Sequence, residues 1–409
     1  MSWKDCPQNI KTRLITAFFS RLINSAIMPF MAIFLTDKLN NVYAGFILVI
    51  IVIVGFFSNL IGGYLTDRFD RKNLLVYTTA FRSISLLIMT ISLLYNNLFY
   101  LFLFFYFVHT VFSNLSGPAL KAIIVDTTTP ENRHDVYVLE YWLANLSIAL
   151  GVAIGGLLYT NHQVALFISM TLCSLLITIT YQIWLDEGNH KKLIKKFDNI
   201  LIDLLNSYKI AIQDRKFLKS VIGFMCLLSA EFTLNSYIGV RLSQEFSPFF
   251  LNGFKIDGIR MLSFLNIENT ILIVCLTLIT TKIIKKINIR GCLLLGLSFY
   301  TIGYIVIIFS NNWYILLIFF FIATLGELIY LPLLKSNQAN MMPEDKRGSY
   351  SALLNLSTNG AEIIARSTII IGAYFTASTI ALYMGVILTF GSILVYTFIS
   401  STYVKVTNH

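Results

Sequence analysis

Twelve apolar runs of about 20 residues dominate the sequence, and they restrict its fold more than any other feature. A bilayer core about 30 Å thick is crossed by about 20 helical residues, and only helices or closed barrels satisfy their backbone polar groups in lipid. The runs are continuous rather than alternating, which favours helices over barrel strands. The sequence therefore predicts an all-α membrane protein with twelve transmembrane helices. The predicted spans are residues 14–35, 43–65, 74–94, 98–120, 136–159, 164–185, 217–239, 262–281, 291–309, 313–334, 350–373 and 378–400.

The composition excludes several other classes of protein. Hydrophobic residues make up 56% of the chain and charged residues only 13%, whereas a soluble domain carries about a quarter charged residues. The five cysteines are isolated from one another, so we expect neither a disulfide framework nor a metal site. The common nucleotide-binding, metalloprotease and serine-hydrolase motifs are missing from the sequence, which argues against an enzyme and against ATP-driven transport. We expect no cofactor; a polytopic membrane enzyme and a membrane sensor stay as minor alternatives.

The distribution of Lys and Arg predicts the orientation in the membrane. If the N-terminus lies inside, 24 of the 31 basic residues fall in the terminal tails and in the loops of the inner side. The positive-inside rule then places both termini in the cytoplasm. The net charge of +10 is explained by this topology and by attraction to lipid headgroups, without a nucleic-acid partner. We expect no cleaved signal peptide. The richness in Ile, Asn, Lys and Phe indicates a bacterial source, so we expect the protein in a bacterial cell membrane.

The two halves of the chain repeat one another. Pro118 and Pro332 are 214 residues apart, and Pro130 and Pro343 are separated by 213 residues, so one offset superposes both features. Such a repeat predicts two pseudo-symmetric six-helix halves, which is typical of a secondary transporter. We predict an N-terminal half at 1–185, a cytoplasmic linker with an amphipathic interfacial helix at 186–216, and a C-terminal half at 217–409.

The loop after span two carries a motif. Its residues are Gly63, Asp67, Arg68, Arg71 and Lys72, with Asp70 between them. This stretch resembles the loop motif G-x-L-x-D-R-x-G-R-K of the major facilitator superfamily (MFS), with Asp70 in the place of the second glycine. The resemblance implies a twelve-helix fold, alternating access and, for this motif, charged contacts that form in one gate state and break in the other.

Span five carries a second pattern, formed by Gly151, Gly155 and Gly156. It is similar to the glycine pattern of antiporters in the same superfamily, although Val152 stands where their proline usually follows the first glycine. Glycines at this spacing allow close helix packing or a hinge, and we predict one of these two roles.

Ionisable residues inside the predicted spans are the candidates for function, because charges at mid-bilayer are costly and generally face a protein interior or a water cavity. In the first half they are Arg21, Arg82 and His109, and in the second half Glu231, Glu268 and Glu327. A cavity between the halves would have one basic wall and one acidic wall. Such a cavity suits a cationic substrate, or a zwitterion that uses both walls.

Glu231 and Glu327 lie near the middle of spans seven and ten, where several drug/proton antiporters of the superfamily also place acidic residues. An apolar environment disfavours the charged form of a carboxyl group, so such a group can release a proton to one side and accept it from the other. We predict that these two residues couple transport to protons, with Glu268 and His109 as further candidates. The alternative is a structural ion pair with Arg21 or Arg82.

Three other features complete the candidate site. Glu362 and Arg366 have the i,i+4 spacing of a neutralising pair, and we expect a mainly structural role for them. Tyr237 and Tyr330 lie on candidate cavity helices, where their rings could stack on an organic cation.

These observations together predict a proton-coupled exporter of small amphipathic or cationic organic molecules, similar to multidrug efflux transporters and monomeric in the lipid. The alternatives are a dedicated exporter of a zwitterionic metabolite such as a metallophore or peptide, and third, a proton-coupled uptake symporter.

Overall fold

The computed structural model describes residues 7–128, 130–186, 212–251, 253–284, 288–343 and 347–406. Over these ranges the chain forms twelve long helices, one for each predicted span, so the all-α fold is confirmed. A 3₁₀ turn, Asn96–Leu98, precedes the fourth helix. The helices are α1 (Gln8–Lys38), α2 (Asn41–Arg68), α3 (Arg71–Leu93), α4 (Phe99–Thr127), α5 (Pro130–Leu158), α6 (Gln163–Trp184), α7 (Arg215–Glu245), α8 (Gly258–Ile284), α9 (Ile289–Phe309), α10 (Trp313–Met341), α11 (Arg347–Gly372) and α12 (Ala377–Val406).

Within the described ranges, eleven of these helices are long and apolar enough to cross a membrane. The exception, α11, has the predicted length but carries Glu362 and Arg366 together with several Ser, Thr and Asn residues, which lower its hydropathy. It packs against α7, so part of its polar surface is covered by protein rather than by lipid.

The chain divides into two compact units, residues 1–30 with 50–195 and residues 31–49 with 196–409. The division after residue 195 falls inside the predicted linker 186–216, whose residues 187–211 lie outside the described residues. The amphipathic helix expected there, like the predicted domain bounds, therefore stays a prediction.

Each unit repeats the packing pattern of the other. In the first unit α3 packs against α4 and α6, and in the second unit α9 packs against α10 and α12, which is the same arrangement shifted by six helices. Both α4 and α10 are 29 residues long, and Pro118 and Pro332 each occupy the twentieth position of their helix. Proline inside a helix cannot donate the usual backbone hydrogen bond, so the two helices forgo that bond at equivalent places. The predicted pseudo-symmetric halves are confirmed.

The helices of the second unit approach closely where glycines face one another. A Cβ atom added to Gly326 in α10 would lie 2.4 Å from the carbonyl oxygen of Gly296 in α9. Only glycine fits such a backbone contact, and without a hydrophobic drive between helices in lipid, close packing of this kind holds a bundle together. The same added Cβ would lie 2.5 Å from the backbone nitrogen of Tyr300, so this contact holds Tyr300 of α9 against α10.

A β-hairpin between α7 and α8 was not predicted from the sequence. Strands β1 (Phe249–Leu251) and β2 (Phe254–Ile256) pair antiparallel with Phe249 opposite Ile256, and Gly253 at the turn has a φ of 80°. The ring of Phe249 stacks on Trp313 at the start of α10, with 5.3 Å between the ring centroids. The hairpin is therefore attached to the second unit by aromatic packing.

Beside this hairpin, the end of α7 is tied to the end of α9 by Arg241. This side chain is buried and donates hydrogen bonds to the carbonyl oxygens of Ile307 at 3.1 Å and Ser310 at 2.7 Å, and to the side chain of Asn311. Carbonyl groups in the last turn of a helix have no partner within the helix, and a cation is favourable there. Arg241, which the sequence counts only as a loop charge, thus caps α9.

Candidate functional site

The first unit contains a cavity of about 900 Å³ whose lining is basic. Four of its side chains are cationic and one is a carboxylate, a formal excess of three positive charges; small residues such as Ala17 and Gly117 leave the space open. The lining residues are Arg13, Ala17, Ser20, Arg21, Asn24, Arg82, Ser113, Ser116, Gly117, Leu120, Lys121, Ala122, Glu140, Tyr141 and Ala144.

Glu140 of α5 joins two arginines of α1 at one edge of this cavity. Its Oε1 accepts from Arg21 Nη2 at 2.9 Å and from Arg13 Nη2 at 3.1 Å. Arg13 is buried and its Nε also donates to the carbonyl oxygen of Leu120 at 2.9 Å, so its position is fixed from two sides. Arg21 is 34% exposed and is the more accessible of the two.

Arg82 of α3 reaches the same cavity from another helix. It is 3% exposed, and its Nη1 donates to Ser20 Oγ at 2.9 Å. Among the described residues, no acceptor lies within hydrogen-bonding distance of its Nε or Nη2. His109 of α4 is buried and close enough to Arg82 for their charges to interact. The structure therefore brings Arg21 and Arg82 into one cavity and places His109 beside Arg82.

The second unit holds a buried carboxylate, Glu327 of α10. It is 7% exposed, and its Oε2 accepts a hydrogen bond from the Asn269 amide of α8 at 3.3 Å. The same amide donates to Thr324 Oγ1 at 3.1 Å, one turn before Glu327 on α10. A buried carboxyl group needs such donors, because burial without compensation is costly for the charged form. Asn269 was not singled out in the sequence.

Two other carboxyl groups of the second unit were predicted to share this role. Glu231 of α7 is half-buried and lies within electrostatic range of Glu327 and of the exposed Lys335. Glu268 of α8 is also half-buried, and its Oε2 has no hydrogen-bond partner among the described residues. Glu231 and Glu327 thus lie within electrostatic range of each other, and their role in proton coupling stays a prediction.

Buried tyrosines adjoin this carboxylate pair. The ring of Tyr300 lies 4.8 Å from that of Tyr304 and 5.0 Å from that of Tyr330, measured between centroids. Tyr330 follows Glu327 by three residues on α10 and so shares its face of the helix. Tyr300 and Tyr304 come from α9 and were not predicted as site residues. In a span that is apolar on every side, the sequence does not indicate which way a tyrosine points.

A π turn, Leu234–Ile238, interrupts α7 and begins three residues after Glu231. Asn235 leaves the helical conformation at φ −91° and ψ 15°, and its carbonyl oxygen accepts from Arg366 Nη1 of α11 at 3.2 Å. Its side chain pairs with that of Asn266 in α8, whose Nδ2 lies 3.1 Å from Asn235 Oδ1. Turns of this type are frequent at functional sites. Here Arg366 of α11 satisfies the backbone carbonyl of Asn235, and Asn266 of α8 holds its side chain.

Glu362 and Arg366 form the ion pair that their spacing indicates, with 3.3 Å between Arg366 Nη2 and Glu362 Oε1. Arg366 therefore has two partners, one on its own helix and one in the π turn. Tyr237, predicted to meet a cation, lies in this π turn and packs on Gly372 of α11, where an added Cβ would be 2.3 Å from the Tyr237 ring. Its role with a cation stays a prediction.

The fold agrees with that of one family. The family model of the Major Facilitator Superfamily matches residues 13–365. The chain belongs to this superfamily. It is therefore a multi-pass membrane transporter and not an enzyme.

Two curated relatives are similar over most of this transporter. A Na⁺, Li⁺, K⁺/H⁺ antiporter of Planococcus maritimus is 23% identical over 392 residues, which are 92% of each chain. The uncharacterized MFS-type transporter YdeE of Escherichia coli (strain K12) is 24% identical over 353 residues, 83% of this chain and 82% of that one.

Solved structures show the same fold. A peptide transporter POT in complex with sulfate superposes with a TM-score of 0.74 at 13% identity, covering 98% of this chain and 95% of its own. A POT family transporter in complex with 5-aminolevulinic acid gives a TM-score of 0.73 at 14% identity and 98% coverage of both chains.

The MFS loop motif joins the end of α2 to the start of α3. Arg68 Cζ lies 4.4 Å from the centroid of the Tyr64 ring, a cation–π contact on α2. Asp70 caps α3 by accepting from the backbone amide of Lys72 at 2.8 Å, which explains an aspartate in the motif's glycine position. Arg71 is the first residue of α3, while the side chain of Asp67 lies outside the described residues. The gating role of these residues stays a prediction.

The MFS glycines differ in their packing. A Cβ added to Gly151 or Gly155 of α5 would lie 2.5 Å or 2.4 Å from a backbone carbonyl oxygen of α1, so α5 packs directly on α1 there; Gly156 is buried. An added Cβ at Gly63 would have no atom of the described residues within 4 Å, whereas one at Gly62 would lie 2.5 Å from Leu115 O of α4. Gly62, outside the motif residues singled out in the sequence, is the glycine needed for α2 to approach α4.

Proposed function

We propose that this transporter exports small amphipathic or cationic organic molecules in exchange for protons, by alternating access. The observation that carries the proposal is Glu327, a carboxyl group 7% exposed in the interior of the second unit, with Glu231 within electrostatic range. Two acidic groups within electrostatic range of each other, one of them buried, cannot both stay ionised cheaply without a cation. Protons and a cationic substrate therefore compete for the same pair.

Competition of this kind produces exchange. When the site opens to the side of higher proton concentration, protonation neutralises the pair and releases the cation. When it opens to the other side, a proton leaves and the charged carboxylate attracts the next substrate. The two access states have different affinities for the two cations, which is the condition for coupling.

The tyrosines support an organic rather than a purely inorganic cation. Tyr330 lies on the same face of α10 as Glu327, and Tyr300 and Tyr304 extend the aromatic surface. An aromatic face attracts an organic cation and covers its apolar part, at about 0.5–2 kcal/mol per contact. A tetraalkylammonium or arylphosphonium ion fits this chemistry.

The curated relative supports the exchange of cations for protons, since its name describes an antiporter of Na⁺, Li⁺ and K⁺ with H⁺. Export follows from antiport against an inward proton gradient in a bacterial cell membrane. The same proposal includes cytoplasmic termini, from the basic residues of the inner loops, and a monomer, because each unit already contains its own candidate site.

A second candidate is a dedicated exporter of a zwitterionic metabolite. It is favoured by the basic cavity of the first unit, which a purely cationic substrate does not require. Uptake by proton symport differs from both in direction, and accumulation in sealed vesicles under an imposed gradient separates the two directions.

The test is proton release from the purified protein in weakly buffered detergent, followed with a pH-sensitive dye. The panel contains tetraphenylphosphonium, ethidium, Na⁺, K⁺ and a neutral dipeptide. Release on addition of the organic cations, lost in Glu327→Gln and kept in Glu245→Gln at the exposed end of α7, supports the proposal. Release with alkali ions alone makes the protein a metal-cation antiporter, and release with the dipeptide alone favours the zwitterion exporter; both results overturn the organic-cation assignment.

A further inference from the structure

The basic cavity of the first unit contains more positive charge than its own residues neutralise. Four cationic side chains line it, and Glu140 is the single carboxylate among its lining residues. Each buried guanidinium without an acceptor is costly, because it loses hydration and gains no hydrogen bond in exchange. A site of this kind gains from any anionic group that enters it.

Arg82 shows this need most directly. It is 3% exposed and lines the cavity, yet only its Nη1 has a partner, Ser20. Its Nε and Nη2 meet no acceptor among the described residues. These two donors lie on one side of the planar guanidinium, and arginine recognises carboxylates through two parallel hydrogen bonds of this kind.

Glu140 acts as a resident anion for the arginines on the other side of the cavity. One oxygen, Oε1, holds both Arg21 and Arg13. Arg13 is fixed by Leu120 and by burial, so it stays with Glu140 whatever happens to Arg21. Arg21 is one-third exposed, and its second nitrogen, Nη1, has no hydrogen-bond partner among the described residues. Arg21 is therefore the arginine that can change partners.

We propose that this cavity binds the carboxylate group of a small amphoteric organic substrate, with Arg82 and Arg21 as its ligands, and that the carboxylate displaces Glu140 from Arg21. The incoming carboxylate lowers the formal charge of the lining from +3 to +2. Glu140 keeps Arg13 as its partner, while the carboxylate takes Arg21 and Arg82. The proposal rests on the proposed transport function and assigns to the substrate a carboxylate that binds within the first unit. Glu140 then sets the affinity, since substrate and Glu140 compete for Arg21.

The test measures binding alone and needs no gradient, so its failure is separate from a failure of proton coupling. The full-length protein in nanodiscs of uncharged phosphatidylcholine, at low chloride, is titrated by fluorine NMR with para-fluorobenzoate. Para-fluorobenzyl alcohol and para-fluorobenzylammonium serve as neutral and cationic probes of the same shape. We expect saturable binding of the benzoate and none of the neutral alcohol. The ammonium probe can bind only at the carboxyl groups of the second unit, so its binding should be unchanged in Arg82→Gln.

The variants distinguish the residues. Arg82→Gln should weaken benzoate binding about tenfold or more, because hydrogen bonds to charged groups contribute about 1.5–3 kcal/mol, and Arg82→Lys should recover part of it. Arg21→Gln should also weaken binding. Glu140→Gln should strengthen binding several-fold, because a neutral amide competes less for Arg21. Arg290→Gln, at an exposed position of α9, serves as the control and should bind like the unmodified protein.

Opposite effects of Glu140→Gln and Arg82→Gln cannot both come from misfolding, and thermal unfolding of each variant checks that it is folded. Equal binding of the neutral probe, unchanged binding in Arg82→Gln and Arg21→Gln, or weaker binding in folded Glu140→Gln would each overturn the proposal. One further result would overturn the proposal. If benzoate does not bind, and an anionic phospholipid co-purifies with the protein but not with Arg82→Gln, the cavity holds a lipid headgroup instead.

Discussion

Replacing Glu327 by glutamine removes one negative charge and one proton-binding group from the second unit while it keeps the shape of the side chain. Glu327 is 7% exposed, and its Oε2 accepts from Asn269 at 3.3 Å. The amide oxygen of glutamine can accept the same bond, and Asn269 also keeps Thr324 as an acceptor. The free energy of unfolding should therefore change by no more than about 1 kcal/mol.

The effect on transport should be much larger. A cation about 4 Å from a carboxylate gains about 4 kcal/mol at an effective dielectric constant of about 20, which corresponds to about a thousandfold in affinity. Glu231 stays within electrostatic range and retains part of this attraction. We therefore expect gradient-driven transport to fall between about tenfold and a thousandfold, and transport against a concentration gradient to stop.

The assay uses proteoliposomes with an imposed pH gradient and follows the accumulation of tetraphenylphosphonium. Glu231→Gln should impair transport in the same way, and Glu245→Gln, which changes a carboxylate that is 55% exposed at the end of α7, is the matched control. If folded Glu327→Gln and Glu231→Gln both keep more than half of the driven transport, the assignment of coupling to this pair is wrong.

Three further substitutions test the packing and polar contacts. Gly155→Ala should lower the thermal unfolding midpoint in detergent, because its Cβ would lie 2.4 Å from Ala26 O. The control Gly63→Ala, with open space among the described residues around it, should leave the midpoint nearly unchanged. Equal midpoints of the two variants would contradict the packing role of Gly155. Arg366→Gln removes the hydrogen bond that supports the π turn. It should lower the free energy of unfolding by about 1–3 kcal/mol and should also lower the transport rate. Normal transport in this variant would show that the turn needs no such support. Arg241→Gln should lower the free energy of unfolding by about 1.5–3 kcal/mol through loss of the α9 cap, as denaturant unfolding would measure, and a change below 0.5 kcal/mol would argue against the cap.

The helices were predictable because the length and hydrophobicity of each apolar run are enough to indicate a transmembrane helix. Pro118 and Pro332 identified α4 and α10 as equivalent before any contact was known, and the structure places them at the same position of two helices of equal length. The end of α7 was less predictable. Span seven was expected to end at residue 239, but the helix continues past a π turn to Glu245, because Arg241 finds buried acceptors on α9 that no local pattern shows.

The candidate site was predictable only as a set of residues. Arg21, Arg82 and Glu327 stand out in the sequence because a charge in a membrane span needs a reason. Their partners do not stand out: Glu140 reads as an interfacial charge, Asn269 as a polar residue near a span centre, and Arg13 as a basic residue of the inner side. Arg21 and Glu140 are 119 residues apart, so nothing local indicates that they meet.

The sequence by itself thus determined the membrane class, the twelve spans, the two like halves and the ionisable groups inside them, because hydrophobicity over 20 residues and a repeat offset are properties of the chain alone. Only the tertiary structure decided which partner each charged side chain has. Glu140 pairs with Arg21, Arg366 donates to the carbonyl of Asn235, and Arg241 donates to carbonyl groups at the end of α9. The physical reason is that a span apolar on every side does not specify its rotation about its own axis. Close packing against neighbouring helices, through contacts such as Gly155 on α1, fixes that rotation and with it the partners of each buried charge.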